Sequence, residues 1–243
     1  MRGIGAAAVR GFVREGAHVV TFDNRPEGEQ VTATVNTQGP GTAHFVLVDV
    51  CDEAAVRSAV DAAVDTMGGL DAVFNIAGIE PAKPAEALTA ADWHKILDVN
   101  VVGTANICAA AYSHMAANGG SIINFGSDAA LGPHPNGTHY SASKGAVISY
   151  SRALAYEWAL VGIRVNSLVP AIWTPMYNEY RARFDAEELV AHDKRMAEVI
   201  PLGGKLGDPD TDLAPVLVFL ASDGSKFITA QIISVNGGAG QTR

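Results

Sequence analysis

Tyr140 and Lys144 stand four residues apart in the segment Tyr140-Ser-Ala-Ser-Lys144. On a helix this spacing puts both side chains on one face. A phenol has a reference pKa of about 10 and is a poor base near neutrality. An ammonium beside it stabilises the phenolate and lowers that value. Such a pair can pass a proton to or from a substrate oxygen. The spacing alone is weak evidence, because exposed Tyr and Lys one turn apart are common. Ser127 lies 13 positions before Tyr140, after an apolar run. A hydroxyl there can hydrogen-bond the same substrate oxygen. Asn100 falls inside a long predicted helix, where Asn is a mediocre helix former. Its amide is a candidate to hold a water that links Lys144 to solvent. Together the four residues form a specific constellation.

The elements that must position them alternate along the chain. Helices are predicted from about Gly5 to Glu15, before the Gly39-Pro40-Gly41 break, from Glu53 to Met67, and as one long helix from Ala90 to Ala117. Further helices are predicted from Ser141 to Leu160 and from Thr211 to Ala221, with a helical insertion at about 175–199. Strands are predicted at His18–Phe22, His44–Val48, Ala72–Asn75, Ser121–Phe125, Arg164–Leu168 and Gln231–Val235. Strands alternating with helices imply parallel pairing and right-handed crossovers. Apolar strands fit a sheet covered on both faces. The expected fold class is α/β, a doubly wound parallel sheet in a single domain over 1–243.

Composition narrows the function classes. Apolar residues make up 48% and charged residues 18%, a globular balance rather than a disordered one. The formal net charge of -9 disfavours nucleic acid and acidic membrane surfaces, which need a basic patch. Cys51 and Cys108 are too few for a disulfide framework and read as reduced thiols. Arg10 and Arg14 interrupt the first apolar stretch, so no secretory signal is read there. The uncharged segment from Val99 to Ser127 is broken by Asn100, Asn106, His114, Asn118 and a glycine pair, so no membrane span is expected. A soluble cytoplasmic protein follows. His134 and His139 make no ligand set, and no metal is expected.

The chain resembles the short-chain dehydrogenase/reductase family over nearly its whole length. The matching residues are Gly3-Ile4-Gly5, Asn75-Ile-Ala77-Gly78, Asn100, Ser127, Tyr140-x-x-x-Lys144, Arg164-Val-Asn166, Pro170 and Pro201-Leu. The resemblance implies a Rossmann-type sheet and hydride transfer between a nicotinamide cofactor and an alcohol or carbonyl carbon. Its flavour is that of 3-oxoacyl-thioester reductases and secondary-alcohol dehydrogenases. It implies Tyr140 as general acid/base, Ser127 as substrate orienter, Lys144 as holder of the nicotinamide ribose, and Asn100 as completing a proton relay. Gly3, Ile4 and Gly5 open the first helix, whose N-terminus would face a pyrophosphate. Asp23 ends the His18–Phe22 strand. An acid there accepts hydrogen bonds from a ribose 2′-hydroxyl and repels a 2′-phosphate, which favours NAD over NADP. Arg25 close by weakens that preference. By the same resemblance Asp49 and Val50 meet the adenine. Asn75, Ala77 and Gly78 line the cofactor cleft, and Pro170, Ile172 and Thr174 form the nicotinamide loop. Substrate-facing candidates are Ala129, His134, Trp173, Met176 and Tyr177, with the insertion as an amphipathic lid.

The partner expected is a small-molecule alcohol or carbonyl compound. Apolar residues on several sides of the Ser141–Leu160 helix (Ala142, Ala146, Val147, Ile148, Leu154 and Trp158) suggest a subunit interface. The family points to a homotetramer, or a dimer if the assembly is perturbed.

The chain departs from the family most at its start. The family opens with a strand and a Thr-Gly-x-x-x-Gly-x-Gly turn, whereas this chain opens at Met1-Arg2-Gly3-Ile4-Gly5. A strand needs about 5–6 residues. A sheet gapped near Gly3 and the Asp23 strand is therefore expected. Either the natural chain begins upstream of Met1, or the protein is shortened and holds cofactor weakly, as a subunit or scaffold. Ile76, Ala171, Ala230 and Asn236 are smaller departures, each compatible with the fold. An epimerase of the same Tyr-Lys chemistry would need a larger C-terminal domain than this chain carries.

Overall fold

The computed structural model describes residues 1–240, so the last three positions of the expected 1–243 domain lie outside the described residues. Helix α1 spans Gly3–Arg14 and feeds strand β1, His18–Asp23. Then come α2 (Gly28–Val35), β2 (Thr42–Leu47), α3 (Glu53–Met67) and β3 (Ala72–Asn75). The second half contains α4 (Ala90–Leu97), α5 (Gly103–Met115), β4 (Gly120–Phe125), α6 (Thr138–Glu157) and β5 (Ile163–Pro170). It closes with α7 (Pro175–Arg181), α8 (Ala186–Val199), α9 (Ala214–Ala221) and β6 (Ile232–Val235). No helix among the described residues is long and apolar enough to cross a membrane.

Local chemistry sets these boundaries. Asp52 caps α3 by accepting from the Ala55 N–H, and Gly68 ends it in the left-handed region at φ 77°. Thr89 and Asp92 form a reciprocal capping box at α4, as do Asp185 and Glu188 at α8. Thr174 caps α7, with Pro175 in its first turn.

Every strand pair is parallel, but the strands form two sheets. One holds β1 and β2; the other runs β3-β4-β5-β6. The break falls between β1 and β3, so the gap expected from the sequence is present. The four-stranded sheet is covered on both faces. Ile122 of β4 packs towards Cys108, Ala111 and Met115 of α5 and Leu154 and Trp158 of α6. The next residue, Ile123, packs with Ala8 of α1 and Leu217 and Leu220 of α9, as strand alternation requires. Helix α1 also contributes Val9 and Val13 to a cluster with Val35 and Ala43, against the β1–β2 pair. Arg10 ties α1 to the turn before α9 through two bonds to Asp210, 2.6 and 2.7 Å.

Two sequence expectations change. The long helix from Ala90 to Ala117 is two helices, separated by a single π-turn over Asp98–Val102. On α6, Val147, Ile148, Leu154 and Trp158 are buried in the protein's own interior rather than left for a partner. They cover the sheet, and the apolar surface that remains exposed beyond them is Tyr156 and Leu160.

A buried polar chain runs beneath the sheet's C-terminal edge. Asn75 Nδ2 donates to Asn124 Oδ1 at 2.8 Å, and Asn124 Nδ2 donates to Ser151 Oγ at 2.9 Å. Asn124→Ala leaves the amide of Asn75 with only the weak acceptor Cys108 Sγ, and frees the Ser151 hydroxyl of its donor. An expected loss of about 2–3 kcal/mol follows. Urea unfolding monitored by circular dichroism reads it, and an unchanged midpoint would contradict it.

Candidate active site

Strand β4 ends at Phe125, and the chain turns through Gly126 to Ser127. Ser127 caps a short 3-10 turn, its Oγ accepting from the Ala129 N–H at 3.2 Å. The same hydroxyl is close enough to the Tyr140 phenol to oppose the rise in its pKa. Tyr140 sits in the first turn of α6, and Lys144 follows one turn later on the same face. Lys144 is buried, and its Nζ donates to the Phe125 carbonyl at 2.7 Å. The ammonium stands 5.9 Å from the centroid of the Tyr140 ring. Ser127, Tyr140 and Lys144 are thus brought together at the end of a central strand.

Their electrostatics differ from the sequence expectation. Burial pushes the Tyr140 phenol up to about 12; Glu80's negative charge adds to this and the Ser127 hydroxyl opposes it. Burial pulls Lys144 down to about 8, with Glu80 holding it up in part. Desolvation disfavours the charged form of each group and sets the direction of both shifts. The expected lowering of Tyr140 by Lys144 is therefore not the controlling effect in the free protein. Tyr140 stands as a protonated acid.

Asn100 lies on the π-turn and is fully buried. Its Oδ1 accepts from the Ile79 N–H at 2.8 Å. Its Nδ2 donates to the Ile79 carbonyl and to Ser143 Oγ, each at 3.0 Å. Both amide hydrogens are thereby used, and Oδ1 keeps one lone pair for a further donor. The amide locks the loop after β3 onto α6, because Ser143 Oγ also donates to the Tyr140 carbonyl at 2.8 Å. A Cβ on Gly78 would meet Asn100 Oδ1 at 3.2 Å and Lys144 Nζ at 3.4 Å. Gly78 thus keeps a small space open beside the ammonium. Asn75, predicted to line the cofactor cleft, points its side chain instead at Asn124 and the Cys108 thiol. Ala77 and Gly78 are exposed on the cleft side.

At the other end, Gly3 opens α1 with φ +54°, and no side chain caps the first turn. Uncapped N–H groups at a helix N-terminus suit an anion such as a pyrophosphate. Thr174 stands beside Gly3, 3.5 Å from where a Cβ would be. The helix start and the Pro170–Thr174 segment therefore meet at one cleft. Gly5 packs against the Met1 side chain. Asp23 ends β1; its Oδ1 accepts from the Arg25 N–H at 3.0 Å and its Oδ2 faces the Met1 ammonium at 2.9 Å. Asp49 accepts from the Cys51 N–H at 3.0 Å, and the Val50 carbonyl accepts from Asn106 at 2.9 Å. Pro170 ends β5 opposite Val235. Ile4 and Ile172 place their side chains in the core around Ala8, Leu213 and Leu217 rather than in the cleft. An uncapped helix start, an acid at the end of β1, and a Gly78 space beside a buried Lys fit a dinucleotide.

Comparison with known proteins matches this arrangement. The family model described as enoyl-(acyl carrier protein) reductase covers residues 1–240. L-fucose dehydrogenase of Oryctolagus cuniculus is 36% identical over 240 residues, 98% of this chain and 81% of that protein. The structure of a short-chain type dehydrogenase/reductase from Mycobacterium ulcerans superposes with a TM-score of 0.90 at 30% identity, covering 98% of this chain and 86% of that one. The chain belongs to the short-chain dehydrogenase/reductase family. A further member, gluconate 5-dehydrogenase from Burkholderia cenocepacia J2315 in complex with NADP and tartrate, gives a TM-score of 0.88 at 32% identity over 98% of this chain and 91% of that one. The protein is accordingly an oxidoreductase acting on CH–OH groups, with a Rossmann-type parallel sheet.

In this dehydrogenase/reductase the substrate candidates divide. His134 faces Tyr140, with ring centroids 5.7 Å apart. Ala129 is buried and supports Ser127 through its N–H rather than facing the cleft. Trp173 and Tyr177 line a cavity of about 230 Å³ with Arg181, Asp193, Met196 and Lys205, which lies within the insertion and does not reach Tyr140. Met176 is exposed. Sequence reasoning missed Ser143, which joins Asn100 to Tyr140, and Glu80, whose charge reaches both Tyr140 and Lys144. Ser143 lay inside the quoted Tyr140–Lys144 segment and could have been found there.

The two shifted groups give a directional pH dependence. Alcohol oxidation needs Tyr140, raised to about 12, to lose its proton, so its rate is expected to climb from pH 7 and to level off as Lys144, which stabilises the phenolate, loses its charge through about 8. Carbonyl reduction needs the phenol proton and the Lys144 charge, so it should fall as pH rises through about 8. Tyr140→Phe should lower kcat in both directions by at least about 100-fold. Steady-state pH profiles measure both, and flat profiles would contradict the assignment.

Proposed function

We propose that the chain is an NAD-dependent dehydrogenase that interconverts secondary alcohols and ketones, a class that includes 3-oxoacyl thioesters. Asp23 carries the cofactor choice. A carboxylate at the end of β1 accepts hydrogen bonds from ribose hydroxyls and repels an added phosphate.

A bound nicotinamide supplies or takes up the hydride. The chain's own groups manage the oxygen. Ser127 holds the reacting oxygen by the hydroxyl that lies beside Tyr140. In reduction the Tyr140 hydroxyl gives its proton to that oxygen; in oxidation the phenolate takes it back. Lys144, fixed by the Phe125 carbonyl, stabilises the phenolate and stands next to the Gly78 space where a ribose fits.

One observation favours a second reading, a cofactor-deficient member serving as a scaffold or subunit: the sheet is split beside Asp23. Separate titrations of NADH and NADPH into the chain, followed by nicotinamide fluorescence, decide between them. NADH is expected to bind at least about tenfold more tightly than NADPH, with Asp23→Ser erasing the difference. Binding of neither cofactor would sink the dehydrogenase reading.

The proposal includes self-association. Tyr156 is 81% and Leu160 99% exposed at the end of α6, where apolar surface gains by burial against a second copy. Light scattering should report a mass above 25.3 kDa, and Leu160→Glu should lower it. A monomer at micromolar concentration would contradict this part.

A further inference from the structure

Proton transfer leaves one charged group at the site without a task. Glu80 lies two residues beyond Gly78, and its Oε1 sits 2.8 Å from His134 Nε2. His134 in turn faces the Tyr140 ring. Glu80 therefore stands at the mouth of the site, close enough for its charge to act on both Tyr140 and Lys144. A carboxylate there opposes loss of the phenol proton, which alcohol oxidation requires. It hinders that direction of the chemistry, so a role in binding is the natural one for it.

The pair is held in place. The Lys83 N–H donates to the Asn136 carbonyl at 2.7 Å, joining the loop after β3 to the loop before α6. The Lys83 ammonium is fixed in turn by Asp92 at 2.6 Å. Both side chains nevertheless remain open, Glu80 at 35% and His134 at 32% exposure. A carboxylate can only accept hydrogen bonds, and His134 meets one oxygen of Glu80. What remains can accept a hydrogen bond from a substrate donor, on the side of the site where His134 faces the Tyr140 ring. A hydroxyl on a carbon adjacent to the reacting one meets that description. A carboxylate or phosphate at that place would be repelled.

We propose that Glu80, steadied by His134, is a specificity-determining residue that accepts a hydrogen bond from a second hydroxyl of the substrate, so that the site takes vicinal diols and polyols in preference to mono-alcohols. This rests on Tyr140 and Ser127 holding the reacting oxygen. A site built to bond a hydroxyl rejects an analogue lacking it, more strongly the drier the site. Water reaches Glu80, so a moderate discrimination is expected.

The test compares butane-2,3-diol with butan-2-ol on the wild-type chain, Glu80→Leu and Glu80→Asp, with circular dichroism to confirm folding. The ratio of kcat/KM for diol over mono-alcohol should fall at least about tenfold in Glu80→Leu, which has no acceptor, and recover in part in Glu80→Asp. A ratio unchanged in Glu80→Leu overturns the proposal. Saturation-transfer NMR titrations of the diol give a readout without turnover. Weaker diol binding in Glu80→Leu, with neither alcohol oxidised, would sustain the Glu80 assignment while sinking the dehydrogenase reading. Equal diol binding in wild type and Glu80→Leu sinks the Glu80 assignment whatever the turnover.

Discussion

Helix α1 spans the break between the two sheets, and the relation between the two ends of the cleft depends on it. Its Val9 and Val13 bury against Val35 and Ala43 on the β1–β2 side. Its Ala8, with Ile4 and Phe12, buries against the four-stranded sheet. Phe12 meets Phe74 of β3 with ring centroids 5.0 Å apart. A strand ladder fixes register by directional hydrogen bonds, whereas apolar burial is non-directional. The placement of Asp23 relative to Gly78 and Lys144 is therefore set largely by side-chain packing, through α1 on one face and through α3 and α5 on the other, where Phe22 and Val46 pack with Val60, Ile107 and Val73. Each fully buried Val, Leu, Ile or Phe contributes about 1.5–3 kcal/mol, enough to hold the halves together but not to fix them as a ladder would.

The catalytic end is built in the opposite way. Each group there is held by directional bonds from at least one other element. Lys144 of α6 is fixed by the β4 carbonyl of Phe125. Asn100 on the π-turn grips both Ile79 after β3 and Ser143 on α6. Asp128, beside Ser127, accepts from the Asn236 amide after β6 at 3.2 and 3.3 Å. A one-residue insertion in the helix makes this possible, because a π-turn re-aims a side chain without ending the helix. The rigid part of the molecule is thus the part that moves protons.

The sequence showed the regular parts clearly. Alternating apolar runs identified all six strands, and Ala72–Asn75 and Glu53–Met67 have the same limits in the structure. Hydrophobic periodicity could not show the π-turn, because one extra residue in a long apolar helix barely disturbs the pattern. Asn75 and Ile172 sit in motifs that border the cleft, but a motif does not say which way a side chain points. Alternation along the chain sends both inward. The proton affinity of Tyr140 was misjudged for a related reason. A neighbour one turn away is visible in the sequence, whereas burial and the approach of Glu80 from another loop are not. Glu80 and His134 are 54 positions apart and meet only through the fold.

Glu80 also resolves an apparent conflict at the site. Its charge works against Tyr140 ionisation and in favour of a charged Lys144. Both effects keep protons where they are, so the free protein rests as neutral phenol and ammonium. Buried alone, Lys144 would be an uncompensated cation beside the substrate, a costly arrangement. Glu80 supplies an opposite charge that acts on Lys144 and offsets part of its cost. Net charge contributes little to the choice among uncharged substrates. The choice falls to the positions of hydrogen-bond donors and acceptors, which the bonds among Asn100, Ser143, Lys83 and Asn136 hold still.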